Sequence, residues 1–316
     1  MNTLFSGAGA VRLTHWGVIR ARGADAVSFL QGQLTNDVTT LGLSQGRLAG
    51  FCSAKGRLQA SFLVWKAADD EVLLACSASV LPATLKRMSM FVMRAQCKLT
   101  DATAELPLWG VAGDAALGFM TSAGVGEKRD AEGITLIRLA NADGVARCLL
   151  AATGADTLPA TLVALSPMAL DAWRLGEVRS GIPSIEAATV DRFVPQMLNY
   201  ELVGGVDFQK GCYPGQEVVA RSQYRGTIKR RMFLFDVDSP AEPGQEVFHS
   251  GDAGQPAGMV VNAAPHREGS GASALVEVKL AALEVGSLHL GTSSGATLRR
   301  TPLPYEVPTD AAAAAA

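Results

Sequence analysis

Apolar residues recur at helical spacing in two stretches of the first hundred residues, and each stretch predicts a helix. The stretches are GADAVSFLQGQLTNDV, with Val27, Leu30 and Leu34 on one face, and SVLPATLKRMSMFVMRAQ, with Leu81, Leu85, Met88 and Val92. The Asn36-Asp37 turn signal is expected to end the first helix. A third helix is marked by its ends, because Ser166 can cap it, Pro167 suits its first turn and Gly181-Ile182-Pro183 stops it.

Apolar runs rich in β-forming residues predict strands in the rest of the chain. QASFLVWK and EVLLACS are separated by residues 67–70 and predict a hairpin, and WGVAG, ITLIRL and ARCLLAA predict further strands. The first part of the chain is therefore expected to be α+β. Beyond residue 229, RRMFLFDVD, QEVFHS, AGMVVNAA, ALVEVKL and SLHL alternate with turn residues, which is typical of a small antiparallel sheet or barrel. We expect the boundary near Gly226.

Composition and charge narrow the classes of function. The chain has 316 residues and is 48% hydrophobic, enough for a substantial core in two or three units. Its 28 basic and 30 acidic residues nearly cancel, which argues against a dedicated duplex-DNA binder. Without a long apolar run or a signal peptide, we expect a cytoplasmic protein with no membrane contact. Five scattered cysteines argue against a disulfide framework and against a local thiolate metal site.

One stretch, KGCYPGQEVVAR at residues 210–221, combines several reactive side chains. Pro214 disfavours helical geometry at the preceding residue, Tyr213. Pro214 itself is suited to the first position of a helix. The first turn of that helix would then contain Gln216 and Glu217. Cys212 is therefore expected just before a helix N-terminus.

Free amide donors and the helix dipole favour a thiolate at such a place. Lys210 would add to the effect on Cys212, whereas Glu217 opposes it. The alternative is a small buried cysteine in a turn, as free cysteines often are. Gly211 and Gly215 on either side favour a functional cysteine, because they indicate a close backbone approach or a positive φ. The histidines have no recognisable nucleophile context, so hydrolytic cysteine chemistry is disfavoured.

With this stretch the chain resembles the YgfZ family of folate-binding proteins, relatives of the glycine-cleavage T-protein, an aminomethyltransferase. The signature K-G-C-Y-x-G-Q-E is found at residues 210–217. Other matching pieces follow in the same order: LQGQLTNDV at 30–38, SAKGRL at 53–58, SGIPSI at 180–185, FVPQMLNYELVGGVDF at 193–208 and PLPYE at 302–306.

The resemblance implies a T-protein-like fold of the α+β class, with two α+β subdomains around a central folate-sized opening and a C-terminal antiparallel β-barrel. We place the two interleaved subdomains at residues 1–228 and the barrel at 229–309. Residues 310–316 are expected to be a disordered alanine tail.

The resemblance also implies a tetrahydrofolate site with two tryptophans, for which Trp16 and Trp173 occupy the matching contexts. An indole face can stack on a pterin ring, although large aromatic residues are also common in cores. Asp37 is a further candidate for this pocket, and it is equally a candidate turn residue. Gln216 and Glu217 of the signature are assigned to the same site.

Cys212 is the expected functional thiol, with Lys210 beside it, and we expect its sulfur to line the same opening as the two indoles. The resemblance implies a role in the synthesis or repair of iron–sulfur clusters in certain enzymes, including those that thiolate tRNA. The partners would be folate and such enzymes or cluster-assembly proteins. One thiolate cannot enclose a [4Fe–4S] cluster, so a redox thiol, a transient ligand and a nucleophile all stay open.

The alternative function is a folate-dependent aminomethyl or one-carbon transferase, so the sequence leaves open whether the protein is an enzyme. The Asp-Asp pair of the T-protein is replaced here by Ala60 and Ser61, which counts against it. A third hypothesis is direct tRNA contact through a basic run, Arg221, Arg225, Lys229, Arg230 and Arg231, which could also bind folate carboxylates. A solvated charged surface is the simpler interpretation of that run, and near-neutral net charge makes tRNA contact the weakest hypothesis.

Overall fold

The strands of the computed structural model form two open sheets and a closed barrel. It describes residues 9–120, 123–131, 133–154, 163, 165–224, 228–266 and 269–308. The α-helices are α1 (Ala26–Gln31), α2 (Leu81–Val92), α3 (Asp114–Phe119), α4 (Leu170–Arg179) and α5 (Gln216–Tyr224). Short 3-10 helices lie at Ala187–Thr189, Pro195–Leu198 and Leu280–Leu283.

The first part of the chain contributes the strands of the two open sheets. They are β1 (Gly9–Arg12), β2 (Trp16–Arg22), β3 (Gly46–Cys52), β4 (Leu58–Ala68), β5 (Glu71–Ser77), β6 (Lys98–Asp101), β7 (Leu108–Ala112), β8 (Lys128–Ala131), β9 (Ile134–Ala142), β10 (Val145–Ala152) and β11 (Ser166–Pro167). One sheet has the order β3-β4-β5-β2-β6 and the other β11-β1-β7-β10-β9-β8. All these pairs are antiparallel except β1 with β11.

The last part of the chain forms the barrel. Its strands are β12 (Arg230–Val237), β13 (Glu246–His249), β14 (Asp252–Pro265), β15 (Ala272–Lys279), β16 (Leu288–Leu290) and β17 (Thr297–Thr301). The ladder β12-β15-β14-β13-β16-β17 closes because β17 also pairs with β12. The predicted α+β class and C-terminal antiparallel barrel are therefore confirmed.

Alternate residues of the first sheet pack in opposite directions, as the two-residue repeat of a strand requires. In β4, Phe62 and Val64 pack with the apolar residues of α1 and α2. Their neighbours Leu63 and Trp65 pack with Leu149 of the second sheet. The first sheet is thus buried on both faces, and the two sheets enclose a shared core.

The barrel packs its outer face against the first part of the chain. Met232 and Leu234 of β12 and Val261 of β14 are buried in one cluster with Leu175 and Val178 of α4. Helix α4 therefore lies between the barrel and the sheets, and its side chains reach the junction of all three.

Two helix ends differ from the sequence expectation. Helix α1 ends at Gln31 rather than at the Asn36-Asp37 turn, because Leu34 leaves the helix and forms a bridge with Phe51. Helix α4 begins at Leu170, so the cap assigned to Ser166 is wrong. Ser166 and the following proline instead form the edge strand β11, which pairs with β1.

The other predicted elements agree with the structure. Helix α2 and the β4–β5 hairpin form as expected, and α4 ends at Arg179, with Ser180 as its C-cap before Gly181, which has a positive φ. Gly226 and the alanine tail lie outside the described residues, so the domain boundaries stay predictions. None of the helices in the described ranges is long and apolar enough to span a bilayer.

Candidate functional site

A cavity of about 350 Å³ lies where the two sheets and the barrel meet. The residues that line it include Trp16 of β2, Arg47 of β3, Arg147 of β10, Glu177 of α4 and Asn262 of β14. This volume falls within the range of small-molecule sites. Because each wall segment belongs to a different element, the cavity exists only when all of them are in place.

One carboxylate organises the deeper wall. Glu177 Oε1 accepts hydrogen bonds from the indole Nε1 atoms of Trp16 and Trp173, each at 2.8 Å. Its other oxygen, Oε2, lies 2.8 Å from His15 Nε2. Trp173 and Glu177 are four residues apart on α4 and therefore project from the same face. Trp16 lines the cavity, whereas Trp173 is fully buried behind the wall.

The surroundings of Glu177 favour its charged form. Burial acts to raise the pKa of this carboxyl, but the hydrogen bond and charge of His15, the charge of Arg147 and the Trp173 hydrogen bond together lower it below its ordinary value. Glu177 is therefore an anion at neutral pH, and 23% of its side chain is exposed to the cavity.

Arg147 provides the opposite charge. Its guanidinium lies 5.0 Å from the Trp173 ring centroid, and Nε donates to the carbonyl of Ala140. Burial lowers the pKa of Arg147 to about 10, partly offset by Glu177, so it stays protonated at neutral pH. Arg147 Nη1 and His15 Nδ1 are buried atoms without a hydrogen-bond partner in the described part of the chain.

Asp37 makes the contacts of a turn residue. Its Oδ1 accepts from the backbone N–H of Thr40 and from Thr39 Oγ1, and its Oδ2 accepts from Gln31 Nε2. Burial acts to raise its pKa, but these hydrogen bonds prevail and lower the pKa to about 2. The cavity wall does not include Asp37, so its role in folate binding stays a prediction.

The residues next to Asp37 hydrogen-bond to the backbone of the cavity wall. Asn36 Nδ2 donates to the carbonyls of Leu48 and Gly204, both of which belong to the wall, at 2.7 Å each. Thr35 Oγ1 donates to Gly205 O at 2.6 Å. The matched stretches at 30–38 and 193–208 are therefore held together by buried side chains that meet backbone carbonyls.

Lys210 also hydrogen-bonds to backbone carbonyls. Its buried ammonium donates to the carbonyls of Gln31 and Leu34, at 2.5 and 2.6 Å, and lies 5.0 Å from the Tyr213 ring centroid. Burial lowers the pKa of Lys210 to about 8, although nearby Asp37 and Asp207 oppose the effect. A catalytic role for Lys210 stays a prediction.

Two of the matched stretches meet backbone to backbone. Gly215 has a φ of +80°, and a Cβ atom there would lie 2.4 Å from Ser53 O and 2.6 Å from Gly56 Cα. Gly56 likewise has a positive φ and faces Val218. The expectation from the glycines is thus confirmed at Gly215, whereas Gly211 has neither a positive φ nor a neighbour that a Cβ would touch.

Cys212 lies just ahead of α5, as expected, and it is exposed. Gln216 begins α5, and its Nε2 lies 3.5 Å from Lys210 O. Glu217 is exposed in the first turn of the helix. The cavity wall contains none of these three residues, nor Trp173. The expectation that Cys212 and both indoles line one opening is therefore wrong, because Trp173 is fully buried behind the wall and Cys212 is exposed outside it.

The chain was compared with known proteins. The model of the GCVT N-terminal domain matches residues 1–153. The tRNA-modifying protein YgfZ of Edwardsiella ictaluri is 30% identical over 319 residues, covering 93% of this chain and 92% of that protein. The protein of the same name from Sodalis glossinidius is 30% identical over 308 residues, covering 94% and 93%. The chain belongs to the YgfZ family.

The fold of this YgfZ-family chain is also that of a solved structure. The glycine cleavage system aminomethyltransferase T from Bartonella henselae superposes with a TM-score of 0.73, covering 93% of this chain and 84% of that one. At 16% sequence identity the likeness establishes the fold alone. The predicted T-protein-like architecture is confirmed.

Two residues of the basic run of this YgfZ-family chain are occupied by internal contacts. Arg231 forms a buried ion pair with Glu201, and Arg230 pairs with Glu277. Arg221 and Lys229 are exposed, and Arg225 lies outside the described residues. Direct tRNA contact through this run stays a prediction.

The positions that carry acids in the T-protein lie in β4. Ala60 is fully buried, and Ser61 lies at the cavity wall, where its Oγ accepts a hydrogen bond from the N–H of Ile185. Neither side chain can act as a carboxylate base.

Sequence reasoning missed His15, Arg147 and Glu177. A signal was present for two of them, because Glu177 follows Trp173 by four residues and Arg147 interrupts the apolar strand ARCLLAA. His15 had no such signal, since its partner is 162 residues away.

Proposed function

We propose that this protein binds tetrahydrofolate in the central cavity and acts as an accessory protein in the cytoplasm. Its task is the synthesis or repair of iron–sulfur clusters in specific enzymes, including tRNA-thiolating enzymes. The cavity wall that joins Trp16, Glu177 and Arg147 carries the proposal. Membership of a family whose relatives are named tRNA-modifying proteins supports it.

The residues at the wall fit a folate. The indole of Trp16 offers a flat surface for a pterin or aminobenzoyl ring, and its N–H is already satisfied by Glu177. Arg174 lies at the wall without a hydrogen bond or ion pair to the described residues, so it is available for the anionic glutamate tail.

The bound folate would supply a carrier for one-carbon units, and the protein's own residues would bind it and orient it. We assign Cys212 as the functional thiol, which its exposure permits. Since the thiol lies outside the cavity wall, folate binding and thiol chemistry are separable in this protein.

Replacement of Trp16 by Phe tests the binding site. We expect the affinity for tetrahydrofolate to fall about tenfold, because a smaller ring offers less stacking area and leaves Glu177 with one donor fewer. Calorimetry and quenching of tryptophan fluorescence measure this. Trp109→Phe is the control, since Trp109 packs in a separate core cluster away from the cavity. Wild-type protein that neither binds tetrahydrofolate nor shows quenching would refute the proposed cofactor.

Replacement of Cys212 by Ser tests the thiol. We expect the activity of a tRNA-thiolating iron–sulfur enzyme to fall in cells that depend on this protein, while folate affinity in vitro stays unchanged. Cys97→Ser, at a partly buried cysteine outside the signature, is the matched control. Full enzyme activity with Cys212→Ser would remove the thiol from the proposal.

We do not extend the proposal to aminomethyl transfer. Ala60 and Ser61 provide no acid or base near the cavity, which is what this reaction would need at those positions.

A further inference from the structure

Helix α2 and the turn after it expose three large apolar residues close together. Met90, Phe91 and Met93 are 70%, 45% and 87% exposed. The helix packs against the core through Leu81, Thr84 and Met88, and Met90 is rotated by about 200° from Met88 around the helix axis. The exposed residues are therefore not part of the stripe that holds α2 in place. Large apolar side chains grouped on a surface are typical of an interaction site.

Basic residues surround these apolar side chains. Lys86, Arg87, Arg94 and Lys98 are exposed, and residues 81–98 contain no acidic residue. None of the four forms an ion pair or a hydrogen bond with the part of the chain that the structure describes. Lys86 and Arg87 precede Met90 by four and three residues, so they border it on the helix surface. We call the exposed surface of residues 86–98 the α2 face.

The backbone at Met93 is strained. This residue is the C-cap of α2 and has a φ of +43°. A positive φ after a helix is usual for Gly or Asn and is unfavourable for a long side chain. Because Met93 is so strongly exposed, the chain gains no burial in return. The strained position therefore points to a contact outside the chain.

The distribution of charge indicates the class of partner. Outside the α2 face the chain has 24 basic and 30 acidic residues, so the face is opposite in sign to the rest of the molecule. An extended polyanion such as RNA, or an anionic membrane, would also meet that acidic remainder, whereas a compact acidic surface meets the face alone. Apolar side chains enclosed by charged ones are also typical of protein interfaces, and phosphate contacts do not require them.

We propose that the α2 face docks a protein partner that presents acidic residues around an apolar pocket. Met90 and Phe91 fill the pocket, and the surrounding basic residues bind the carboxylates. The flexible methionine side chains adapt to the shape of the partner. The cavity wall includes no residue of the α2 face. The inference therefore goes beyond the proposed function and requires neither folate binding nor Cys212.

Site-specific photo-crosslinking of the full-length protein in its host cells tests this docking. Ala83 is exposed one turn ahead of Lys86 and Arg87, so replacing it by p-benzoylphenylalanine keeps every residue of the α2 face. We expect a nuclease-resistant protein adduct whose attachment site, identified by mass spectrometry, lies among acidic residues. The same replacement at Val285, which is 78% exposed on the barrel, should not give this adduct.

Charge reversal then tests the face itself. In the Ala83-labelled protein, Lys86→Glu with Arg87→Glu should lower the adduct yield at least about tenfold, because like charges then meet at the interface. Arg221→Glu with Lys229→Glu, at two exposed residues elsewhere, is the matched control and should leave it unchanged. Met90→Ser with Phe91→Ser should also abolish the adduct.

Several outcomes would overturn the inference. They are the absence of a protein adduct at residue 83, an adduct to nucleic acid or lipid, an attachment site without acidic residues, and a yield that charge reversal does not change. If the first charge-reversal variant does not fold, Arg94→Glu with Lys98→Glu decides. None of these outcomes bears on folate binding, which is measured separately.

Discussion

At the scale of single residues, Asp37 and Lys210 show how signature positions serve the architecture. Asp37 closes its own turn, and Lys210 holds two carbonyls at the end of α1. Both residues belong to the matched stretches. Their side chains hydrogen-bond to backbone groups, and neither residue lines the cavity. In this chain, a signature position can therefore serve the local backbone structure rather than supply a reacting group.

Replacement of Asp37 by Asn tests the charged turn. The folded-state pKa of about 2 lies below the ordinary value of 3.8, so the carboxylate stabilises the fold above about pH 4 and this contribution is lost as pH falls toward 2. We expect Asp37→Asn to lower the free energy of unfolding by about 1–2 kcal/mol at pH 7, allowing for solvent screening. Urea titrations at pH 7, 4 and 3 should show the difference shrinking. A constant difference would exclude the charge as its cause.

At the scale of elements, the start of α5 is fixed by the contact between two turns. Gly215 approaches Ser53 O and Gly56 closely, which only a residue without a side chain allows. This contact lies immediately before the first residue of α5, and Cys212 is exposed three residues ahead of Gly215. The spacing of the two signature stretches gives no hint of it, because they lie far apart in the chain.

The two glycines beside Cys212 form a matched pair. Gly215→Ala is expected to lower the free energy of unfolding by about 2–4 kcal/mol, from left-handed strain and the clash with Ser53. Gly211→Ala should change it by less than about 0.5 kcal/mol, since nothing lies within 4 Å of the added methyl group. Chemical denaturation of both variants measures this. Similar losses for the two would show that the contact at residue 215 does not carry the stability.

At the scale of the whole molecule, a buried ion pair joins the barrel to the cavity-bearing part. Arg231 on β12 pairs with Glu201, and both side chains are almost fully buried. Arg231 also donates to Gln196 O in the 3-10 helix Pro195–Leu198. The barrel is thereby held against the segment that supplies the cavity wall at Val203 and Gly204.

Arg231→Met is expected to lower the free energy of unfolding by about 3–5 kcal/mol, because Glu201 would be left as an uncompensated buried charge. Burial already acts to raise the pKa of Glu201, and Arg231 opposes it. The double variant Arg231→Met, Glu201→Gln should recover part of the loss in urea unfolding. A single variant as stable as the wild type would show that the pair does not hold the barrel in place.

Local patterns were sufficient for most of the fold. The barrel strands, the β4–β5 hairpin and α2 follow from periodicity, since each pattern is complete within a short window. The start of α4 was wrong because Ser166, a good local cap, is used in pairing with Gly9 of β1. The local sequence permits Ser166 either to cap a helix or to join a strand, and the pairing with β1 decides for the strand.

The candidate site was predicted less completely. The family resemblance found Trp16 and the opening, but the carboxylate that connects both tryptophans was not assigned. His15 and Glu177 are 162 residues apart, so no spacing rule brings them together. The position of Cys212 outside the cavity was likewise not predicted, because the local sequence does not show which residues of the chain face the cavity.

The different environments of the cysteines make this protein convenient for spectroscopy. Cys212 is exposed, Cys97 is partly covered, and Cys52, Cys76 and Cys148 are buried, where burial raises the pKa of each of these three thiols. A maleimide dye added to the native protein will therefore attach first at Cys212, without any engineered site. Energy transfer from the four tryptophans to that dye would then report the average separation between the indoles and the surface thiol.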